Sequence, residues 1–160
     1  MKIIVFVISI FFSASAYAEN LIGKVVPPYP DGLKSRQGAC ISVELGDNKF
    51  CDYAVEELQE IGKKPHTIVI KKQIGRKGKK AIWKITDQID YPEIRKGEYL
   101  TFAGCKVNNV FDQTVMAVVS FTESQFHKAT SWAAIVNLKS GLVTKIQPNG
   151  IECDNAGWGV

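Results

Sequence analysis

Four cysteines, Cys40, Cys51, Cys105 and Cys153, constrain this chain more than any other feature. What they can do depends on the compartment, and the first eighteen residues, MKIIVFVISIFFSASAYA, bear on that. Lys2 is followed by an apolar run from Ile3 to Phe12 and then by small residues ending in Ala16-Tyr17-Ala18. This is the n-region, h-region and A-x-A pattern of a cleaved secretory signal peptide. Ten apolar residues at about 1.5 Å each cover about half of a ~30 Å hydrocarbon core, and no later segment is long and apolar enough to span one. The first cysteine, Cys40, lies far beyond the h-region, which argues against a lipoprotein. The expectation is a periplasmic or secreted protein that begins at Glu19 and has no transmembrane segment.

An even number of cysteines in an exported chain reads as a disulfide framework. Of the three possible connectivities we expect Cys40–Cys51, which closes a short loop, and Cys105–Cys153, which ties the tail to a central strand. Metal ligation is disfavoured, because there is no C-x-x-C, the gaps are wide and the only histidines are His66 and His127. No metal and no cofactor is expected.

Beyond the leader (1–18), residues 19–39 are punctuated by Pro27, Pro28, Pro30, Gly23 and Gly32, which predicts an extended arm rather than a helix. It reads as a strap lying on the domain, with a polyproline ligand as the alternative. Residues 40–160 are expected to form one globular domain. Most of that stretch has strand character. CISVEL (40–45) opens it, followed by a GDN turn. In KAIWKITDQIDY, Trp83, Ile85, Ile89 and Tyr91 share one parity, the mark of a half-buried antiparallel strand. EYLTFAGCKV, TVMAVVSF, SWAAIVNL and LVTKIQ continue the series, the last two joined by a hairpin-length KSG. One segment reads as a helix: DYAVEELQEIG, with Asp52 as cap, Ala54, Val55, Leu58 and Ile61 on one side, Gly62 at the end, and Glu56, Glu57 and Glu60 as the wet face. The expected fold class is α+β: an antiparallel sheet of six or seven strands with one packed helix and two disulfides.

Charge is unevenly placed. Without the leader's Lys2 the chain carries 19 basic and 16 acidic side chains, yet KKQIGRKGKK (71–80) holds six bases and no acid. The remainder is mildly acidic, so the basic stretch is a local feature. Gly75 and Gly78 mark it as the tip of a long hairpin. Lys71, Lys72, Arg76, Lys77, Lys79 and Lys80 are therefore candidate binding residues, against the plainer reading that like charges keep a tip solvated and discourage edge pairing. Trp158, flanked by glycines in the tail, is a further candidate, for a ligand or for packing into a surface groove.

No catalytic motif is present: no G-x-S-x-G, H-E-x-x-H, G-x-x-x-x-G-K or G-x-G-x-x-G. His127 with Glu123, Ser124 and Ser131 nearby, and Asp90 with Glu93 around Tyr91-Pro92, are the residual possibilities for general acid–base work, and His127 reads as a solvated loop residue. Gly104-Cys105-Lys106-Val107 and Cys153-Asp154-Asn155-Ala156-Gly157-Trp158-Gly159 resemble a family of small exported proteobacterial proteins. That family joins a G-C-K/R-V strand to a closing C-x-N-x-G-W/Y-G. The resemblance covers roughly the last sixty residues and implies an exported, disulfide-tied, β-rich protein without catalytic residues. Together these features predict a non-catalytic binding module of the inhibitor or immunity type. Its basic hairpin would meet a protein or an anionic envelope component rather than nucleic acid. The alternative is a small periplasmic hydrolase.

Overall fold

The segment expected to be a helix is a strand. In the computed structural model of the chain, which describes residues 20–30, 32–41, 51–102 and 104–159, Tyr53–Glu60 forms β3 and no helix occurs among the described residues. The fold is all-β, two antiparallel sheets of five and seven strands, which overturns the α+β expectation. The physical reason is burial on both faces. Tyr53, Val55 and Glu57 point between the sheets, whereas Ala54, Glu56 and Leu58 point to the outer side, and five of these six are buried. A strand covered on both sides loses the alternation that distinguishes it from a helix. The carboxylates that mimicked a wet helical face have partners instead: Glu57 with Gln37 and Tyr91, Glu56 with Lys71, Tyr29 and Ser35. Gly62 caps no helix; at φ +82° it turns β3 into the next strand.

The first sheet has the order β1-β5-β4-β3-β2, with β1 at Val25–Val26, β2 at Leu33–Ile41, β4 at Pro65–Lys77 and β5 at Lys80–Asp90. Its inner face contributes Ile41, Tyr53, Val55, Ile68 and Ile70 to the main core. Its outer face is covered by the chain's own N-terminal segment. Leu21 and Val26 are buried there against Leu58, Val69 and Ile85. Each such side chain contributes roughly 1.5–3 kcal/mol of burial. The segment is tied down by Val26↔Trp83 pairing and by the Leu21 N–H, which donates to Gln88 Oε1 at 2.7 Å. Residues 1–18 and the GDN turn lie outside the described residues, as does most of CISVEL.

β5 departs from the simple alternation. Lys71 faces Ile85 but Ile70 faces Asp87, so the strand bulges at Thr86. Trp83 and Ile85 consequently join the outer cluster, while Ile89 and Tyr91 pack on the main core. One inserted residue reverses the face of everything after it. The bulge also fastens the sheets together, with Thr86 Oγ1 donating to Gly141 O at 2.9 Å and the Val143 N–H to Asp87 Oδ2 at 2.7 Å.

The second sheet runs β6 (Glu98–Phe102), β9 (Val115–Ser120), β10 (Phe126–Asn137), β12 (Ile151–Asp154), β7 (Cys105–Val107), β8 (Val110–Asp112), with β11 (Leu142–Ile146) also paired to β10. Met116, Val118, Ala134 and Val136 face the first sheet. The opposite faces of β9 and β10 are also buried, because β12 and β7 curl back onto β9 and enclose Val115, Ala117, Val119, Ala133 and Ile151. Both disulfides pair as expected, Cys40–Cys51 and Cys105–Cys153. The second joins directly opposed residues of β7 and β12. Its anchor is a short strand next to the sheet edge rather than a central one, because EYLTFAGCKV is two strands, β6 and β7.

Candidate functional site

β4 and β5 form the longest hairpin in the protein, built on the β-branched run Thr67-Ile68-Val69-Ile70 and closed by a two-residue turn. Gly78 takes φ +61° at the first turn position, the requirement of the tight hairpin turn that suits twisted strands. The flanking strands stop early. β3 ends its pairing at Tyr53↔Lys72 and β1 at Val26↔Trp83, so among the described residues Ile74–Ile82 is a two-stranded ribbon with no third strand. Four residues on the β4 arm and three on the β5 arm, at ~3.4 Å each, carry its tip about 10–14 Å past the sheet.

Arg76, Lys77, Lys79 and Lys80 are exposed on this ribbon, and Lys72 and Lys84 are exposed at its base. Two like-charged pairs are directly opposed, Lys77↔Lys80 and Lys72↔Lys84. Arg76 Nη2 donates to Lys79 O at 3.2 Å across the turn. Lys77, Lys79 and Lys80 make no ion pair among the described residues. The exposed Ile74 adds an apolar contact point on the same ribbon.

Lys71 is placed differently from its neighbours. It is 7% exposed and points to the outer face of the sheet. Its Nζ donates to Glu56 Oε2 at 2.6 Å and to Tyr29 Oη at 2.9 Å, and it lies 5.2 Å from the Trp83 ring centroid. The Tyr29 hydroxyl also donates to Glu56, and Ser35 Oγ donates to the other carboxylate oxygen at 2.7 Å. Burial, then the hydrogen bond to Glu56 and its charge, push the Tyr29 phenol far above its usual range. This cluster holds the N-terminal segment against the base of the hairpin, and Lys71 contributes nothing to the exposed charge.

Trp158 is half-exposed at the end of the second sheet, its N–H donating to Asn155 O at 3.0 Å. Asn155 anchors that tail through its N–H to Gln125 O and its Nδ2 to Ser124 O, both at 2.9 Å. No hydrogen bond or ring contact joins Trp158 to the ribbon among the described residues.

His127, expected as a solvated loop residue, is in β10 and is 1% exposed. Its Nδ1 meets the Tyr99 hydroxyl at 2.5 Å and its Nε2 meets Thr122 O at 2.8 Å, with Tyr99 edge-on and Phe121 tilted against the ring. The carbonyl can only accept, which assigns the hydrogen to Nε2 and makes Nδ1 the acceptor for Tyr99. Both nitrogens are thereby engaged in the fold, Nε2 holding the 121–125 loop and Nδ1 tying β10 to β6. Asp90 and Glu93 are exposed beside a shallow depression of about 310 Å³ shared with Arg95 and Lys145. All four cysteines are oxidised, and no group of three His, Cys, Asp or Glu side chains is placed to hold a metal ion among the described residues.

The sequence reading missed Glu57. It is fully buried, and its Oε1 accepts from Gln37 Nε2 at 2.7 Å and from the Tyr91 hydroxyl at 3.0 Å. The signal that could have found it is strand parity: Tyr53, Val55 and Glu57 alternate as a buried face should. Comparison with known proteins adds no lineage to this geometry, since no family model, no curated protein and no solved structure matches the chain.

Proposed function

We propose that the protein is an exported, non-catalytic binding module that presents the β4–β5 ribbon to an anionic partner, either an acidic protein surface or an anionic component of the cell envelope. The leader pattern and two disulfides, which fit an oxidising compartment, support export. The observation that carries the binding reading is the pair of opposed cations in a ribbon with no third strand among the described residues. Two such charges at about 6 Å in water repel by roughly 0.7 kcal/mol, a cost that an anionic partner removes. His127, the residue the hydrolase alternative needs, has both nitrogens engaged in the fold.

The test is capture from envelope extract by the wild-type protein and by Lys77→Glu, Lys79→Glu, Lys80→Glu, which moves the local charge by six units. These exposed changes are expected to alter stability by no more than about 0.5 kcal/mol. Partners retained by the wild type should be lost or should associate more slowly with the variant, and the wild-type rate should fall with added salt. An identical captured set, at every salt concentration, would show that the ribbon is a solvating device and not an interface.

A further inference from the structure

β2 and β6 each form one edge of their sheet, and between them lies a cavity of about 600 Å³. Sites for small organic ligands occupy roughly 300–1,000 Å³. The lining is largely apolar or aromatic, from Pro65, Tyr91, Pro92, Ile94, Tyr99 and Leu100, and it includes two cations, Arg36 and Lys64.

Arg36 is held from behind by the missed carboxylate. Glu57 Oε2 has no hydrogen-bond partner among the described residues, and Arg36 Nη1 lies 3.8 Å from it. A buried carboxylate oxygen left unsatisfied is costly, so this charge pairing fixes the guanidinium at the cavity wall. The Arg36 side chain is nevertheless 53% exposed and makes no hydrogen bond among the described residues. Its planar fork of N–H donors is therefore available to a carboxylate or phosphate. Lys64 is exposed and makes no ion pair there either. The lining also holds one acid, Glu98. Thr130 and the Arg95 N–H, the latter at 3.0 Å, hold its carboxyl below the usual range, so it stays anionic. Two cations with donors to spare outnumber this one carboxylate in the lining, and the remaining walls are largely apolar.

We infer that this cavity binds an amphipathic anion, with one carboxylate or phosphate-ester headgroup on Arg36 and Lys64 and a short apolar body against Tyr91, Ile94, Tyr99 and Leu100. Glu57 and Gln37 act as positioning residues. The site is separate from the ribbon and stands or falls independently of it.

Titration calorimetry with four eight-carbon probes tests the inference on the intact protein: octanoate, octyl phosphate, octanol and octyltrimethylammonium. Octanoate or octyl phosphate should bind at least tenfold more tightly than octanol, the tighter of the two identifying the headgroup, and the cationic probe should bind weakest. Arg36→Lys with Lys64→Gln, which keeps a cation beside Glu57 but removes the guanidinium fork and one charge, should weaken the anionic probe roughly tenfold or more and leave octanol unchanged. Lys77→Glu, Lys79→Glu, Lys80→Glu should leave it unaffected. The inference is overturned if no anionic probe binds, if octyltrimethylammonium binds as tightly, if the Arg36/Lys64 variant keeps full affinity, or if the ribbon variant loses it.

Discussion

Replacing Lys71 with Met separates the two kinds of cation in the basic stretch. The substitution keeps the length of the side chain and removes a charge that is 9% exposed and 2.6 Å from Glu56, itself 12% exposed. Breaking a buried ion pair by deleting one partner costs about 3–5 kcal/mol, because the other charge is left uncompensated. Glu56 keeps two hydroxyl donors, Tyr29 and Ser35, which lowers the expected cost, whereas the lost contact with the Trp83 ring raises it by about 1 kcal/mol. The net expectation is about 3 kcal/mol, a large fraction of a stability of roughly 5–15 kcal/mol. With a urea slope near 2 kcal/mol/M this moves the unfolding midpoint down by about 1.5 M. Trp83 fluorescence reads the transition from within the cluster. Adding Glu56→Gln to Lys71→Met should cost less than the sum of the two single changes by about 2 kcal/mol, since the pair is removed as a unit. Lys72→Met, one residue away and exposed, should shift stability by no more than about 0.5 kcal/mol. The association rate of any partner captured by the proposed ribbon should be unchanged in Lys71→Met, because that ammonium is not part of the exposed field. A Lys71→Met protein as stable as the wild type, or a double variant showing simple additivity, would refute the buried-pair reasoning and return Lys71 to the charged surface.

Other consequences are as direct. Burial, then the charge of Glu57 and the hydrogen bond to it, push the Tyr91 phenol up to about 12, whereas tyrosines of the unfolded chain ionise near 10. The unfolded chain gives up its proton first, so stability present below pH 10 is lost as pH rises through 12; Tyr91→Phe should flatten that limb of a midpoint-against-pH curve, and an unchanged limb would count against it. Removing Cys105–Cys153 should cost about 4 kcal/mol and removing Cys40–Cys51 about 3, from loops of 48 and 11 residues, so the reverse order of urea midpoints would contradict the chain-entropy account. Gly141→Ala should destabilise more than Gly97→Ala although both glycines have positive φ, because a Cβ at 141 would lie 2.7 Å from Thr86 Oγ1 while one at 97 meets open space. Roughly 2–3 kcal/mol against about 1 is expected by thermal unfolding, and equal losses would mean that only backbone strain matters.

Features legible in the sequence were those set by local chemistry. The tip of the hairpin follows from two glycines between β-branched runs, and the disulfide pairs follow from loop closure. Runs such as TVMAVVSF and LVTKIQ declare themselves as strands because their residues have few alternatives. The failures share one cause, tertiary burial that no local pattern announces. Residues 52–62 contain enough Glu, Leu and Ala to favour a helix on propensity. Their fate was decided by β2 and β4 on either side and by the N-terminal segment above, which engage Glu56 and, with Tyr91, one oxygen of Glu57 in an interior where a helix would have left them wet. His127 looked solvated because its partners, Tyr99 and the Thr122 carbonyl, are specified by the pairing of β9 with both β6 and β10 and by a loop between strands.

The same cause explains why the two candidate sites differ so much in visibility. The ribbon's charge is written in consecutive residues, 72–80, and the proposed function requires only that its cations remain outside, so a linear reading finds it. The cavity between β2 and β6 draws on positions 36, 57, 64, 91 and 99, brought together only once the sheets face each other. Its electrostatic sense depends on which charges share the lining: Arg36 and Lys64 stand against the single carboxylate of Glu98, and Arg36 is backed by Glu57 with its donors to spare. No count of acids and bases along the chain carries that information, because the stretch from Lys64 to Leu100, whose ends line the cavity, also contains the basic run itself. Charge in this protein acts by placement. Lys71 and Lys72 are adjacent in the chain, yet the strand pleat sends one ammonium to stabilise the fold and leaves the other exposed at the base of the proposed binding ribbon.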